Sequence, residues 1–585
     1  MKSFLRLKEF FLKHKWSYFI GIMWLVTVDA MQLIVPRIIG NLIDEFQGNL
    51  LDIRGLIRYS LYIIITGLII GVGRYFWRIH IIGNSRKLEY YLRKKLFNHL
   101  LTLSPNYFNH HKTGDLMSHA TNDINAVRMS FGFGLIMSID SLFIITMALI
   151  MMVRSTSLQL TALAVFNIPI LFITTKKFGG VIYNRSKRVQ AAFSNLTEVT
   201  QESFAGIRVI KSFIQEDLVR DNFRRVNENN LRENLNLVKV SGLFYPFLQF
   251  ISSLSLLVTI FYGGRMVIEG SISLGDFVAF TSYLGLLTWP TRALGMVINV
   301  FQRGAASMDR INRILDERAE IKEPENAIVP KKIEGNIEFR SVSFRYQGSN
   351  YNALEDINFM LEKGKTLAIV GRTGSGKTTI VNLLLRLYDI EEGEILIDGI
   401  NIKDISLKAL RENIGYVPQD NFLFSTTIRE NIAFAFDELP KEEEIIEASK
   451  IAQVYDNIIN FPKKFDTILG ERGVTLSGGQ KQRTSIARAA IKKPPVLILD
   501  DSLSAVDTET EERILKNIKE VTKDITTIII AHRISTIKHA DEILFLEDGR
   551  IVERGTHEEL LNLKGQYQAL YEKQLLEEKL KGKEG

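Results

Sequence analysis

The stretch GRTGSGKT, residues 371–378, lies between the apolar run TLAIV (366–370) and the helix-forming run TTIVNLLLRL (378–387). It fits G-x-x-x-x-G-K-[ST] in the strand–loop–helix setting that pattern requires. Gly371, Gly374 and Gly376 let backbone approach phosphate oxygens, whose charge a helix N-terminus favours. Lys377 is placed to reach the β- and γ-phosphates, and the Thr378 hydroxyl to ligate Mg²⁺. The whole loop from Gly371 to Thr379, with Arg372, Thr373 and Ser375, is the expected nucleotide cradle. Further along, VLILDD (496–501) is an apolar strand ending in two carboxylates. Asp500 suits a Mg²⁺-holding role, and Asp501 occupies the position of a base that orients attacking water. In LSGGQKQR (476–483), the hydroxyl of Ser477, the N–H groups of Gly478 and Gly479, Gln480 and the following helix end form a second anion site. One phosphate loop and a separate anion site in one chain imply that two chains share two nucleotides.

Around these motifs short strand-like runs alternate with helices: IEFRSVSF, TLAIVG, VLILDD, TTIIIAH and EILFLEDG. That alternation predicts a soluble α/β domain with a largely parallel sheet. Upstream, the stretch IKEPENAIVPKKIEG (321–335), with its two prolines and several charges, reads as a linker. Residues 336–575 are then the nucleotide domain and 576–585 a charged tail; no chemistry is expected after Gly565.

Residues 1–320 differ in kind. They hold six apolar runs near the ~20 residues a helix needs to cross a bilayer: Tyr18–Leu42, Ile57–Ile79, Phe131–Val153, Leu158–Thr175, Val240–Tyr262 and Phe277–Val300. Lys and Arg crowd the N-terminus and the two long connections, after the second and fourth runs. The positive-inside rule therefore places both termini, the two long connections and the nucleotide domain in the cytoplasm, in a multi-pass protein of the cell membrane. The basic segment LRLKEFFLKHKW (5–16) reads as an amphipathic helix on the inner leaflet. The long connections are polar and helix-forming, so spans two to five are expected to continue into the cytoplasm as helical hairpins. Their tips fall at SPNYFNHHKTGD (104–115) and SFAGIRVI (203–210).

Whole-chain totals hide this division. The 585 residues carry 73 Lys+Arg against 66 Asp+Glu, a net +7 that sets topology and marks no polyanion partner. With no cysteine, disulfide scaffolds, thiolate metal sites and cysteine nucleophiles are excluded. No motif supports a nucleic-acid partner.

With these motifs in order, residues 335–575 resemble the nucleotide-binding domain of ABC transporters. The whole chain resembles a bacterial ABC exporter half-transporter of the multidrug, lipid A exporter-like type. The fold this implies is an α-helical six-span transmembrane domain with long cytoplasmic extensions, followed by an α/β P-loop ABC ATPase domain. The resemblance implies ATP and Mg²⁺ as cofactors, with Tyr346 in SFRY stacking on adenine. It further implies Gln419 in GYVPQD contacting Mg²⁺ and His532 in IIIAHR touching the γ-phosphate. TILGERG (467–473) and SAVD (504–507) resemble the cross-communication and dimer-contacting loops. The hairpin tips resemble coupling helices, near Phe108–Leu116 on the chain's own nucleotide domain and near Ala205–Ser212 on a partner's.

One position departs from the family. After the strand-end Asp the family carries Glu, and here Asp501 stands. A carboxylate drawn back by one methylene implies good ATP binding and slow hydrolysis at this chain's own site. The expectation is one subunit of a heterodimeric exporter with two unequal sites, with a homodimer as the alternative. The lipid bilayer and a hydrophobic or amphiphilic small molecule are the other expected partners. A lipid or peptide exporter, or a mainly regulatory ATP-binding subunit, are the other readings. Asp29, Gln32, Arg74, Arg78, Asp140 and Arg292 are polar residues within the spans; Asp29 and Asp140 are suited to attract cationic amphiphiles, or Asp–Arg pairs lock helices together or lie in an aqueous outer vestibule.

Overall fold

The computed structural model describes residues 2–166, 168–470, 473, 476–521 and 524–581. It divides into two compact units, Met1–Leu100 with Gly114–Asp316 and Leu101–Thr113 with Glu317–Gly585.

The first unit is helical. Among the described residues five helices are long and apolar enough to cross a membrane: Ser3–Gln47, Ile53–Leu100, Thr113–Ser155, Glu216–Ile268 and Leu274–Asp316. The expected fourth span, Leu158–Thr175, falls on Leu158–Val165 and the start of Ile168–Ala205, with Asn167 outside the described residues. At 1.5 Å per residue, the 48 residues of Ile53–Leu100 reach about 72 Å. That is more than twice a bilayer's ~30 Å core, as the extended hairpins require. The most apolar window of this helix is only 17% buried, because its Leu and Ile side chains face outward as lipid-exposed ones do. Hydroxyls within the helices are satisfied locally: Thr27 donates to the Met23 carbonyl at 2.8 Å and Thr66 to that of Tyr62 at 2.7 Å. Such i−4 bonding is how polar side chains are tolerated where water is absent.

Small residues set the closest helix approaches. A Cβ at Gly73 would lie 2.5 Å from Val28 Cγ2, and one at Gly40 would lie 2.6 Å from the Gly275 carbonyl oxygen. Asp44 fixes the same junction by accepting from Ser273 Oγ at 2.7 Å and Gly275 N at 2.6 Å, at the start of helix Leu274–Asp316. Asp29 is buried and Asp140 half-buried, and neither forms an ion pair with Arg74 or Arg78 among the described residues. The Arg292 side chain lies outside the described residues.

The second unit holds two sheets. Strands β1 (Ile337–Phe344), β2 (Leu354–Leu361), β4 (Glu392–Ile397) and β5 (Ile400–Asn401) form an antiparallel sheet ordered β2-β1-β4-β5. Strands β3 (Thr366–Gly371), β6 (Ile414–Val417), β7 (Val496–Asp500), β8 (Thr526–Ile530), β9 (Glu542–Glu547) and β10 (Arg550–Gly555) form the second. Its order is β10-β9-β3-β8-β7-β6, parallel throughout except for β10 on β9. β3, β7 and β8 are buried along their whole length, which is why they read as unbroken apolar runs rather than alternating ones. Two apolar cores flank this sheet, one shared with the antiparallel sheet and one with the helices around Gly478–Ala490.

Both hairpin tips contain short helices, Pro105–His110 and Ile207–Ser212. The first belongs to the second unit, where Asn106 donates to Glu320 Oε1 at 2.8 Å and Gln347 Oε1 at 2.5 Å.

Candidate nucleotide site

Parallel pairing brings the site together. Asp500 pairs with Ile530 across β7 and β8, and Ile530 pairs with Ile369 across β8 and β3. The carboxyl ends of β3, β6, β7 and β8 therefore lie side by side, where open α/β sheets place their ligand sites. Leaving those ends are the phosphate loop, Gln419, the Asp500–Asp501 pair and His532. They converge on a cavity of ≈ 370 Å³ lined by Tyr346, Thr373, Gly374, Lys377, Asp500 and His532 among others. Gly376, Thr378, Thr379, Gln419 and Asp501 are also in its wall, with Ala353 and Ile530.

The loop's course depends on glycine at two positions. A Cβ at Gly371 would sit 2.1 Å from the Leu546 carbonyl oxygen. Gly376 has φ +99° and its Cβ would meet the Ala353 carbonyl oxygen at 2.5 Å. The loop is thereby pressed onto β9 and the start of β2, and helix Lys377–Leu384 begins at the cavity wall. The first N–H groups of a helix have no intrahelical acceptor and favour negative charge.

Lys377 is buried and folds back, donating from Nζ to the Gly371 and Arg372 carbonyls at 2.9 Å each. Burial pulls its pKa below the usual lysine value, while Asp500 and Asp501 oppose that shift. Asp500 is 1% exposed, and burial raises its pKa above the ordinary carboxylate range. Its Oδ1 accepts from Thr378 Oγ1 at 3.2 Å, and its Oδ2 has no hydrogen-bond partner. Ser375 Oγ is likewise buried without a partner. A buried carboxylate oxygen left bare beside a hydroxyl and the Gln419 amide is the donor set of a hard cation that keeps several waters and phosphate oxygens. These residues fit Mg²⁺ bound with a nucleotide.

Asp501 follows in the left-handed region, at φ +47°, with its N–H held by the Ile530 carbonyl at 2.8 Å. Its Oδ2 is 3.4 Å from Gln419 Nε2. Tyr346 hydrogen-bonds Thr379 Oγ1 at 3.1 Å, with Tyr388 packed edge-on at 5.2 Å. Tyr388 was not foreseen; in the sequence it is one aromatic in a leucine-rich run, and only the tertiary contact reveals it. Its hydroxyl accepts from Asn109 Nδ2 of the first hairpin tip at 3.0 Å.

Gly371, Arg372 and Ser375 shape the loop without lining the cavity, and Arg372 is exposed. Ser477, Gly478, Gly479 and Gln480 are not in its wall either. They start helix Gly478–Ala490 with a reciprocal cap: Ser477 Oγ accepts from Gln480 N at 3.3 Å and Gln480 Oε1 from Ser477 N at 3.0 Å. Ser477 and Gly478 are exposed. Gln482, also unforeseen, ties this helix to SAVD by donating to Ser504 Oγ at 3.2 Å and accepting from Ala505 N at 2.9 Å. Within TILGERG, Glu471 and Arg472 lie outside the described residues.

A phosphate-binding ATPase unit fused to a bundle of membrane-length apolar helices defines a class, the ATP-driven membrane transporters. Residues 18–291 match the family described as ABC transporter transmembrane region and residues 354–504 the family described as ABC transporter. The chain belongs to the ABC transporter family, as an exporter half-transporter with one membrane and one ATPase domain. It is 39% identical to the probable multidrug resistance ABC transporter ATP-binding/permease protein YheI of Bacillus subtilis (strain 168), over 98% of each chain. It is 36% identical to the multidrug resistance-like ATP-binding protein MdlA of Escherichia coli (strain K12), over 99% of this chain and 97% of that one. With the ATP-dependent lipid A-core flippase of Syntrophus aciditrophicus (strain SB) it shares 38% identity, over 89% of this chain and 86% of that one. A bacterial Atm1-family ABC exporter with ATP bound has the same fold, with a TM-score of 0.77 at 27% identity over 95% of this chain and 97% of that one.

Proposed function

We propose that the chain is one half of an ATP-driven pump that exports hydrophobic or amphiphilic compounds across the cytoplasmic membrane, working as a dimer with a different half-transporter. Both termini and the ATPase unit face the cytoplasm in this reading, as the Lys and Arg of the long connections require. Multidrug names among full-length relatives support the substrate class; the lipid A-core flippase makes lipid export the second reading.

The observation that carries the dimer is the split of the motifs. Tyr346, the phosphate loop, Gln419, Asp500, Asp501 and His532 gather at one cavity, while Ser477–Gln480, with Ser477 and Gly478 exposed, begin a helix outside it. A second chain brings its own such helix to this cavity and receives this one at its own. Exposed apolar residues at the second hairpin tip, Val209, Phe213 and Ile214, give a partner's ATPase domain a surface to bind.

In the occupied site Tyr346 stacks on the base and the Gly371–Thr379 backbone holds the phosphates. Lys377 leaves the loop carbonyls for phosphate oxygens, while Thr378, Gln419 and Asp500 hold Mg²⁺. Mg²⁺ held there would supply positive charge against the charge that develops as the terminal phosphate leaves. His532 orients the water at the γ-phosphate, and Asp501, one methylene short, accepts its proton inefficiently. This site therefore retains ATP, and a competent site forms where the partner's carboxylate meets this chain's Ser477–Gln480.

The test is co-purification with any half-transporter encoded beside this chain, followed by ATP-dependent dye uptake into inverted vesicles. Rapid ATP turnover by this chain alone that survives Asp501→Asn would overturn the unequal-site reading.

A further inference from the structure

The segment that carries His532 is held by a residue 42 positions away. After β8 the chain runs Ala531–His532–Arg533 into the short helix Ile534–Ile537. Gln574, on helix Gln566–Lys581, donates from Nε2 to the His532 carbonyl at 2.6 Å and accepts from the Ile534 N–H at 2.9 Å through Oε1. The amide's orientation is fixed by its partners, since a carbonyl must accept and an N–H must donate. Arg533, between these two points, is anchored separately: its guanidinium donates to the Val506 and Ser504 carbonyls at 3.3 Å each. Glu511 backs that arginine at 3.7 Å.

The helix bearing Gln574 does not depend on this contact for its own seat. Tyr567 is fully buried, its hydroxyl bonded to His557 Nδ1 at 2.7 Å and its N–H to Glu553 of β10 at 3.0 Å. Tyr567 and Ile534 lie in the same apolar core. His532 and Arg533 are exposed while Ile534 is buried, so Gln574 spans the edge between solvent and core. What Gln574 adds is a fixed position. Behind the segment lies a cavity of ≈ 250 Å³ lined by Asp501, Ser502, His532, Arg533 and Thr536, so the segment has room to shift.

We propose that Gln574 is a positioning residue for hydrolysis: it clamps the backbone on both sides of His532 and so aims the imidazole at the terminal phosphate. This rests on the reading of His532 as the γ-phosphate contact. A displacement on the order of 1 Å at such a group can cost ~10²-fold in rate.

The experiment uses the full-length dimer in lipid nanodiscs, with single-turnover hydrolysis of MgATP at this chain's site read in Asp501 and Asp501→Glu backgrounds. Gln574→Met keeps the side chain's length and removes both hydrogen bonds. Gln574→Glu keeps the acceptor for Ile534 N–H and sets a carboxylate against the His532 carbonyl. Both variants are expected to lower the rate about 10-fold with the ATP concentration at half-saturation unchanged. In a His532→Ala background, Gln574→Met is expected to have no further effect, because its effect runs through the imidazole. The proposal is overturned if Gln574→Met hydrolyses at the parent rate or lowers it equally without His532. It is overturned too if the loss follows a lowered unfolding temperature, or if His532→Ala alone is inert. Should Asp501→Glu fail to speed hydrolysis, the unequal-site reading falls, while the Gln574–His532 comparison is still read in the Asp501 background.

Discussion

Asp501→Glu adds one methylene, about 1.5 Å of reach, to a carboxylate whose backbone is already fixed. The Asp501 N–H is bonded to the Ile530 carbonyl at 2.8 Å and its φ is +47°, so the new length is taken up by the side chain. At present Oδ2 stands 3.4 Å from Gln419 Nε2, beyond the usual 2.7–3.2 Å, and extension closes that gap toward the cavity. With ~10²-fold at stake for a ~1 Å displacement, the expected gain in hydrolysis is about 10- to 100-fold. That equals a barrier lowered by about 1.4–2.7 kcal/mol. Glu tolerates left-handed backbone less well than Asp, which sets the gain toward the lower end. The assay is steady-state phosphate release by the reconstituted dimer, with the partner's catalytic carboxylate neutralised so that only this site is read. An unchanged rate would refute the argument, as would a gain equalled by Asp501→Asn.

Three further perturbations test the site from other sides. Gly376→Ala forces a Cβ against the Ala353 carbonyl oxygen at φ +99° and is expected to cost about 1–3 kcal/mol, read as a lowered unfolding temperature together with loss of ATP binding. Ser477→Ala removes a helix cap, at about 1 kcal/mol, and is expected to slow hydrolysis at the partner's site while equilibrium ATP binding to this chain's own loop is unchanged. Asp500 has a folded pKa above its unfolded one, so the folded chain holds more protons in that interval and loses stability as pH rises through it. Asp500→Asn is therefore expected to raise the unfolding temperature of the nucleotide-free protein at neutral pH and to flatten its pH dependence, while abolishing hydrolysis; a lowered unfolding temperature would contradict this.

Local pattern carried much of this architecture. The apolar runs of β3, β7 and β8 announced buried parallel strands because both of their faces are covered. Long polar helix-forming connections announced the extended hairpins, since 48 continuous residues such as Ile53–Leu100 outrun any bilayer. The resemblance placed the first coupling helix near Phe108–Leu116; the short helix Pro105–His110 overlaps that stretch, with Asn106 and Asn109 making its polar contacts. Asn residues three apart on a short helix look like ordinary surface positions until Glu320, Gln347 and Tyr388 are beside them.

By itself the sequence determined the two-part division and the nucleotide motifs, because both rest on residue type and spacing along the chain; Asp501 stands out only against the family that the chain resembles. Tertiary structure alone decided which motifs share a cavity and which do not. Strand register sets Asp500 beside Ile530, and the turn that follows holds Asp501 at positive φ. It also gave a role to the segment after Gly565, from which the sequence promised no chemistry: Gln574 reaches the backbone of His532 across 42 residues. A hydrogen bond between distant segments leaves no periodicity in the chain, so only the packed structure could reveal it.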